Sequence, residues 1–265
     1  MPYFSNDSVE LYYELHGSGP ALLLLAGLAS DSQSWLTVLP ELKKQYSVIV
    51  LDNRGVGRSS QECTISIDLM ADDAMALLTH LGIEKVNLLG HSMGGMVAMQ
   101  CAVRYPQMVE KLVLASIASR NPARNNRLFD DWAAAREADI DRAAWFRTIF
   151  AWIFTDAFFE NSQRVDDAVR YLLGYPWPQS ASNFKKQAQA IAAFDGTALS
   201  TQIAVPTCVV AAEQDILMPL KASVTLADEI PGAQLVVIGQ AAHSVHTEQP
   251  EAFVREVVSF LETTT

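Results

Sequence analysis

The sequence predicts an α/β fold, and three observations carry that expectation. Short, wholly apolar runs of strand length recur along the chain, segments with helical spacing lie between them, and a glycine-flanked serine stands where one run passes into one helix. The runs are 21–25, 48–51, 86–89, 112–115, 207–211 and 235–238. All are rich in Val, Leu and Ile without period-two alternation, as expected of parallel strands covered on both faces of a sheet. Helical spacing spans Ile67 to Leu81 and Leu220 to Ile230. Strand and helix therefore alternate, which points to a mostly parallel central sheet with helices on both faces.

Taken in order, the chain begins with alternating, strand-like sequence at Val9-Glu10-Leu11-Tyr12-Tyr13. No basic segment followed by an apolar run precedes it, and nowhere do eighteen apolar residues occur together, so neither a signal peptide nor a membrane span is expected. With 265 residues, half of them hydrophobic, the chain can bury one large domain or one domain carrying an insertion. The composition changes once, between about Arg120 and Ser200. There the strand-like runs stop, and more than half of the aromatic residues gather in mostly helical spacing. The expected organisation is a core domain made of 1–119 and 201–265, with 120–200 inserted after the 112–115 strand as a helical cap. Most of the aromatics there should serve packing. Trp132 is a candidate substrate contact, although periodicity alone does not say which rings line a pocket.

A formal net charge of −11 and the absence of any Lys- or Arg-rich run argue against nucleic acid or an anionic membrane as partner. The three cysteines, Cys63, Cys101 and Cys208, are odd in number, widely spaced and set in apolar or helical sequence. They read as reduced thiols of a cytoplasmic protein rather than as a disulfide or metal frame. The expected partner is a small molecule. A homodimer stays open, because the apolar surface of the cap could meet either the body or a second subunit.

The chemistry begins at Gly90-His91-Ser92-Met93-Gly94, between the strand 86–89 and a helix running from Met93 to Tyr105 and stopped by Pro106. Glycines on both sides permit a turn too tight for larger neighbours, and the first helical turn, thinned by Gly94 and Gly95, directs its free N–H groups toward Ser92. Ser92 is the candidate nucleophile. A serine hydroxyl needs a base within reach and a third group to orient that base. Asp215 follows the strand 207–211 and His243 follows the strand 235–238, so all three would emerge at the carboxyl edge of the sheet, where such folds assemble their sites. Glu213 remains an alternative acid and His246 an alternative base. His91 reads as a packing residue, His16 and His80 as surface or structural histidines, and Asp52 and Arg54 as residues that hold their turn by hydrogen bonds.

With these residues in view, the chain resembles the α/β-hydrolase family over nearly its whole length. Asp52-Asn53-Arg54-Gly55-Val56-Gly57-Arg58-Ser59 is similar to the family's D-x-R-G-x-G-x-S turn, and Gly90 to Gly95 to its nucleophile elbow. Asp215 with Pro219 is similar to its acid loop, and His243 with Glu248-Gln249-Pro250 to its histidine loop. The resemblance implies an α/β-hydrolase fold, with Ser92 as nucleophile, His243 as general base and then acid, and Asp215 as the group fixing the imidazole tautomer. It implies an oxyanion hole formed by the backbone N–H groups of Met93 and Leu28, although Ala26-Gly27 stands where the family usually has His-Gly. It implies two-step hydrolysis through an acyl-enzyme, without metal or cofactor. Arg120, Arg124 and Arg127, clustered at the start of the cap in an acidic protein, are candidate carboxylate contacts, with solvated surface arginines as the alternative. The expected substrate is thus a small, carboxylate-bearing ester or lactone. The layout is most similar to enol-lactonases acting on 3-oxoadipate and, less so, to aminoacrylate hydrolases. Carbon–carbon bond hydrolases, general carboxylesterases and slow-turnover ligand receptors of the family share the same constellation.

Overall fold

A computed structural model describes residues 3–263. Eight strands form one sheet: β1 (Tyr3–Asn6), β2 (Val9–His16), β3 (Ala21–Leu25), β4 (Ser47–Leu51), β5 (Val86–His91), β6 (Val109–Ala115), β7 (Thr207–Ala212) and β8 (Gln234–Ile238). Their spatial order is β1-β2-β4-β3-β5-β6-β7-β8. β1 and β2 run antiparallel to their neighbours, and the six strands from β4 to β8 in that order are mutually parallel. All six apolar runs are strands, and the alternating segment at Val9 is the start of β2.

The register explains why the central runs show no alternation. Leu23 lies opposite Ile49 on one side and Leu88 on the other. With Leu25, Leu51 and Leu114, these residues enter one core with the helices α2 (Ile67–His80) and α3 (Met93–Arg104). Leu22, Leu24, Val48, Val50, Leu89 and Val113 point the other way. They pack beside α1 (Leu39–Leu42) and against Phe253 and Val257 of α12 (Pro250–Glu262). Because both faces are buried, both must be apolar. β8 departs from that expectation: Leu235 is 38% and Val237 46% exposed. It pairs with β7 alone, so it forms the open edge of the sheet, and only Ile238 of its five residues is fully buried.

Between β6 and β7 the chain makes α4 (Ala123–Glu137), α5 (Arg142–Ile153), α6 (Asp156–Phe159), α7 (Ser162–Leu173), α8 (Ala181–Ala193) and α9 (Thr197–Ser200). Side-chain oxygens of Asp141, Asn161 and Ser180 accept from the N–H groups of Ala144, Arg164 and Asn183, which starts α5, α7 and α8. Phe150, Phe158, Val165 and Val169 form a small core of their own, while Phe129, Trp132 and Phe184 join the main core. Two further short elements, α10 (Leu220–Glu229) and α11 (Val245–Glu248), follow β7 and β8.

Asp52 and Arg54 hold the turn after β4, as expected from their place in the sequence. Asp52 accepts from Ser32 N and Arg58 N, both at 2.9 Å. Arg54 grips buried Asp73 with two nitrogens at 2.6 and 2.7 Å and donates a third bond to Thr64 O. With its hydrogen bonds filled in this way, a buried ion pair can offset its desolvation. All three cysteines are free, and burial pushes the thiols of Cys101 and Cys208 up to about 12, which leaves them protonated and inert at neutral pH. Among the described residues, no helix is long and apolar enough to cross a membrane.

Candidate active site

β5 ends at His91 and α3 begins at Met93, so a single residue, Ser92, makes the junction. It does so at φ 54° and ψ −120°, a conformation that stores roughly 1–3 kcal/mol for a residue with a Cβ. Its neighbours make that turn possible. A Cβ on Gly94 would collide with the carbonyl of Leu25, and one on Gly95 would lie 2.7 Å from Ile117 Cδ1. The helix therefore lies directly against the ends of β3 and β6, while the bond from Ser92 N to Ala115 O, 2.9 Å, anchors the turn to the neighbouring strand.

His243 stands in the loop after β8 and Asp215 in the loop after β7, and the three side chains meet. Ser92 Oγ lies 2.9 Å from His243 Nε2, and His243 Nδ1 lies 2.8 Å from Asp215 Oδ2. Asp215 is 4% exposed, and its other oxygen, Oδ1, accepts from Leu217 N at 2.9 Å and Met218 N at 2.7 Å. An acceptor-only carboxylate at Nδ1 requires the proton there, leaving Nε2 free to accept from the serine hydroxyl. Glu213, the alternative acid, is exposed and accepts from Gln240 N instead.

His246, the alternative base, is buried between Trp35 and His91, with ring centroids 4.9 and 4.6 Å away. Burial first, and then the neighbouring His243, lower its pKa to about 4. His91 is buried too and held neutral in the same way. Its Nε2–H donates to the His243 carbonyl at 2.8 Å, so it supports the loop that carries His243. His16 bonds to Glu14 and His80 packs on Phe4, both far along the chain from this site.

The N–H groups of Leu28 and Met93 have no acceptor among the described residues. Gly27 brings the Leu28 loop close, since a Cβ there would stand 3.2 Å from Ser92 Cβ. The same loop is pinned from α8, where Gln187 Oε1 accepts from Ala29 N at 3.1 Å. Ser92 and His243 border a cavity of about 160 Å³ whose walls include Leu28, Phe129, Trp132, Ile149, Phe184 and Leu217. Trp132 is thus part of the wall of the cavity that Ser92 borders.

The three arginines lie elsewhere. Arg120 is 74% exposed and faces Asp195 at 3.9 Å, Arg124 donates to the carbonyl of Ile216 and covers Trp152, and Arg127 is exposed. None of them borders the cavity. Arg120 precedes α4, and Arg124 and Arg127 lie in its first two turns. One residue quoted only as part of a motif acquires a clear task. Glu248 accepts from Thr155 N and Oγ1 at 2.9 and 2.7 Å and from Ala242 N at 2.8 Å, tying the helical segment to the histidine loop. A carboxylate five residues past the histidine is visible in sequence, but its partner on α6's leading edge is not. Among the described residues, no cluster of His, Cys, Asp or Glu could hold a metal ion.

Comparison with known proteins agrees with this geometry. Residues 20–250 match the family described as alpha/beta hydrolase fold. The provisionally named carbamate hydrolase RutD of Agrobacterium fabrum is 30% identical over 264 residues, covering 95% of this chain and 98% of the relative. The structure of a hydrolase from Pseudomonas aeruginosa is 27% identical with a TM-score of 0.89, covering 98% of both chains. The enol-lactonase from Burkholderia xenovorans, at 24% identity and a TM-score of 0.89, covers 99% of this chain and 100% of its own, a likeness of fold. Fold, strand order and matched residues agree, and the chain belongs to the alpha/beta hydrolase family.

Proposed function

We propose that this protein is a serine hydrolase that cleaves a small carboxylic ester or lactone through an acyl-enzyme on Ser92. The observation that carries the reading is the unbroken chain of hydrogen bonds from Ser92 Oγ through His243 to Asp215, opening on a cavity. His243 Nε2 takes the hydroxyl proton as Oγ attacks the carbonyl carbon. The resulting oxyanion rests on the N–H groups of Leu28 and Met93, at the positive end of α3. The imidazolium then gives its proton to the leaving oxygen, and the carbon–oxygen bond breaks, leaving the acyl group on Ser92. Water attacks next with His243 again as base, and the free acid and the serine are restored. Asp215 holds the tautomer throughout and stabilises the imidazolium. The helical segment 120–200 serves as the cap that encloses the substrate. At about 160 Å³ the cavity is well below the several hundred Å³ typical of sites for drug-sized ligands, which favours a small acyl group.

A carbamate is the second reading, favoured by the name of the 30%-identical relative. The same attack would leave a carbamoyl-enzyme. Steady-state hydrolysis of p-nitrophenyl butyrate beside a matched aryl carbamate tests both. Many turnovers of the ester with slow release from the carbamate support the ester reading, and the reverse ranking supports the carbamate. A single slow turnover of each, with a large thermal shift, would overturn both in favour of a ligand receptor.

A further inference from the structure

A second, smaller cavity of about 70 Å³ adjoins the first. The two share Ala29 and Phe184 as a common wall, beside the residue that comes after Leu28 in the chain. Into this second space project Arg136 from α4 and Arg142 from the start of α5. The Nε and Nη2 atoms of Arg142 are buried and have no hydrogen-bond partner among the described residues. Arg136 donates from Nη2 to the carbonyl of Gln179 at 3.1 Å and lies over the ring of Trp145 at 4.7 Å. Neither guanidinium is within ion-pair distance of a carboxylate among the described residues. Burial first, and then the positive charge of Arg142, push the pKa of Arg136 below its ordinary value, and Asp139 opposes that shift without reversing it.

One acidic residue, Asp31, borders the same space, and it does not neutralise them. Its Oδ1 accepts from Gln33 N at 2.9 Å and its Oδ2 from the hydroxyl of Tyr175 at 2.5 Å. Burial raises its pKa, while the Tyr175 hydroxyl and the charge of Arg58 act in the opposite direction. Both arginines are half-buried, and leaving the enclosed Nε and Nη2 of Arg142 without a partner is costly, a cost that is removed when a ligand brings an acceptor anion. A guanidinium fork pairs best with a planar two-oxygen anion. A cavity of 70 Å³ suits a group of that size, not a larger one.

We propose that Arg136 and Arg142 form the subsite for a carboxylate carried by the substrate, so that the scissile bond lies at Ser92 and the charged end reaches past Ala29 between the two guanidinium groups. This deepens the serine-hydrolase reading and rests on it. The substrate class is then the monoester, or lactone equivalent, of a compound bearing a second carboxylate. Specificity for it arises from cap helices rather than from the catalytic loops.

Hydrolysis of monomethyl esters of straight-chain dicarboxylic acids, from succinate to suberate, is compared with that of the matching dimethyl esters by pH-stat. At one chain length the wild type should show kcat/KM at least tenfold higher for the monoester. In Arg142→Gln that ratio should fall at least tenfold, mainly through KM. Arg127→Gln, whose side chain is exposed and outside both cavities, should keep the wild-type ratio. A wild-type ratio of one or less at every length, or an unchanged ratio in R142Q, overturns the subsite. If R142Q does not fold, free adipate against hexane-1,6-diol as inhibitors of wild-type hydrolysis decides. An inhibition constant at least tenfold lower for adipate supports the subsite, and equal constants refute it. Neutral esters cleaved without anionic preference remove only the subsite, whereas no ester hydrolysis together with no reaction at Ser92 removes the serine-hydrolase reading.

Discussion

Replacing Asp215 by Asn isolates the part of the mechanism that depends on one proton. The carboxylate is surrounded by donors on both sides, with Leu217 N and Met218 N at Oδ1 and His243 Nδ1 at Oδ2. An amide has one oxygen and cannot satisfy both. If that oxygen stays with the two backbone N–H groups, the NH2 faces His243, and Nδ1 must become the acceptor. The proton then moves to Nε2, which can no longer accept from Ser92. A histidine held in the wrong tautomer lowers kcat by about 10⁴-fold, or about 5.5 kcal/mol. If the amide flips, it keeps the right tautomer but leaves two buried N–H groups unpaired, at a cost of about 1–3 kcal/mol each. The first arrangement is therefore preferred, and Asp215→Asn should fold with kcat on p-nitrophenyl butyrate reduced about 10³–10⁴-fold and KM little changed. Steady-state kinetics with a thermal melt as a folding control read this directly. A folded variant within tenfold of wild type would refute the role of Asp215.

Two further outcomes rest on local geometry. Ser92→Gly removes the nucleophile and relieves the positive φ of 54°, so it should abolish turnover yet stabilise the fold by about 1 kcal/mol, raising Tm by roughly 2–4 °C; a lowered Tm would show that the turn is not strained. His246 is held neutral, with its pKa lowered to about 4, while in the unfolded chain it titrates near 6.5. The unfolded state therefore binds the extra proton, and stability that is fully present above pH 6.5 is lost as pH falls toward 4, by up to about 3 kcal/mol. Urea midpoints at pH 7 and pH 4.5 should differ more in the wild type than in His246→Gln, and equal differences would contradict the assignment.

Elements are legible in the sequence where local pattern coincides with burial. The six apolar runs are strands because residues such as Leu23 and Leu88 are enclosed on both faces, and that leaves a compositional mark. β1 leaves none: Tyr3–Asn6 is half exposed and is held by pairing with β2, a contact that exists only in three dimensions. Ser92, Asp215 and His243 are legible because each comes directly after a recognisable strand, and the loops leaving parallel strands gather at one edge of the sheet. Arg120, Arg124 and Arg127 lie off both cavities while Arg136 lines the smaller one, a difference hidden in the sequence because charge is visible there and helix rotation is not. Arg127 and Arg136 lie nine residues apart on α4, about two and a half turns, and so face opposite sides. A signal does exist: Phe129, Trp132, Ala133 and Arg136 fit the i, i+3, i+4, i+7 pattern of one buried face, and Arg142 with Trp145, Phe146 and Ile149 fits it on α5. An arginine on an apolar stripe marks a half-buried cation.

The central claim is that Ser92 is an activated nucleophile, and intact mass after incubation with a fluorophosphonate tests it most directly. Wild type should gain the mass of one phosphonyl group and lose esterase activity in step, while folded Ser92→Ala gains nothing. A folded wild-type protein that stays unmodified, or an adduct that persists in Ser92→Ala, would contradict the account.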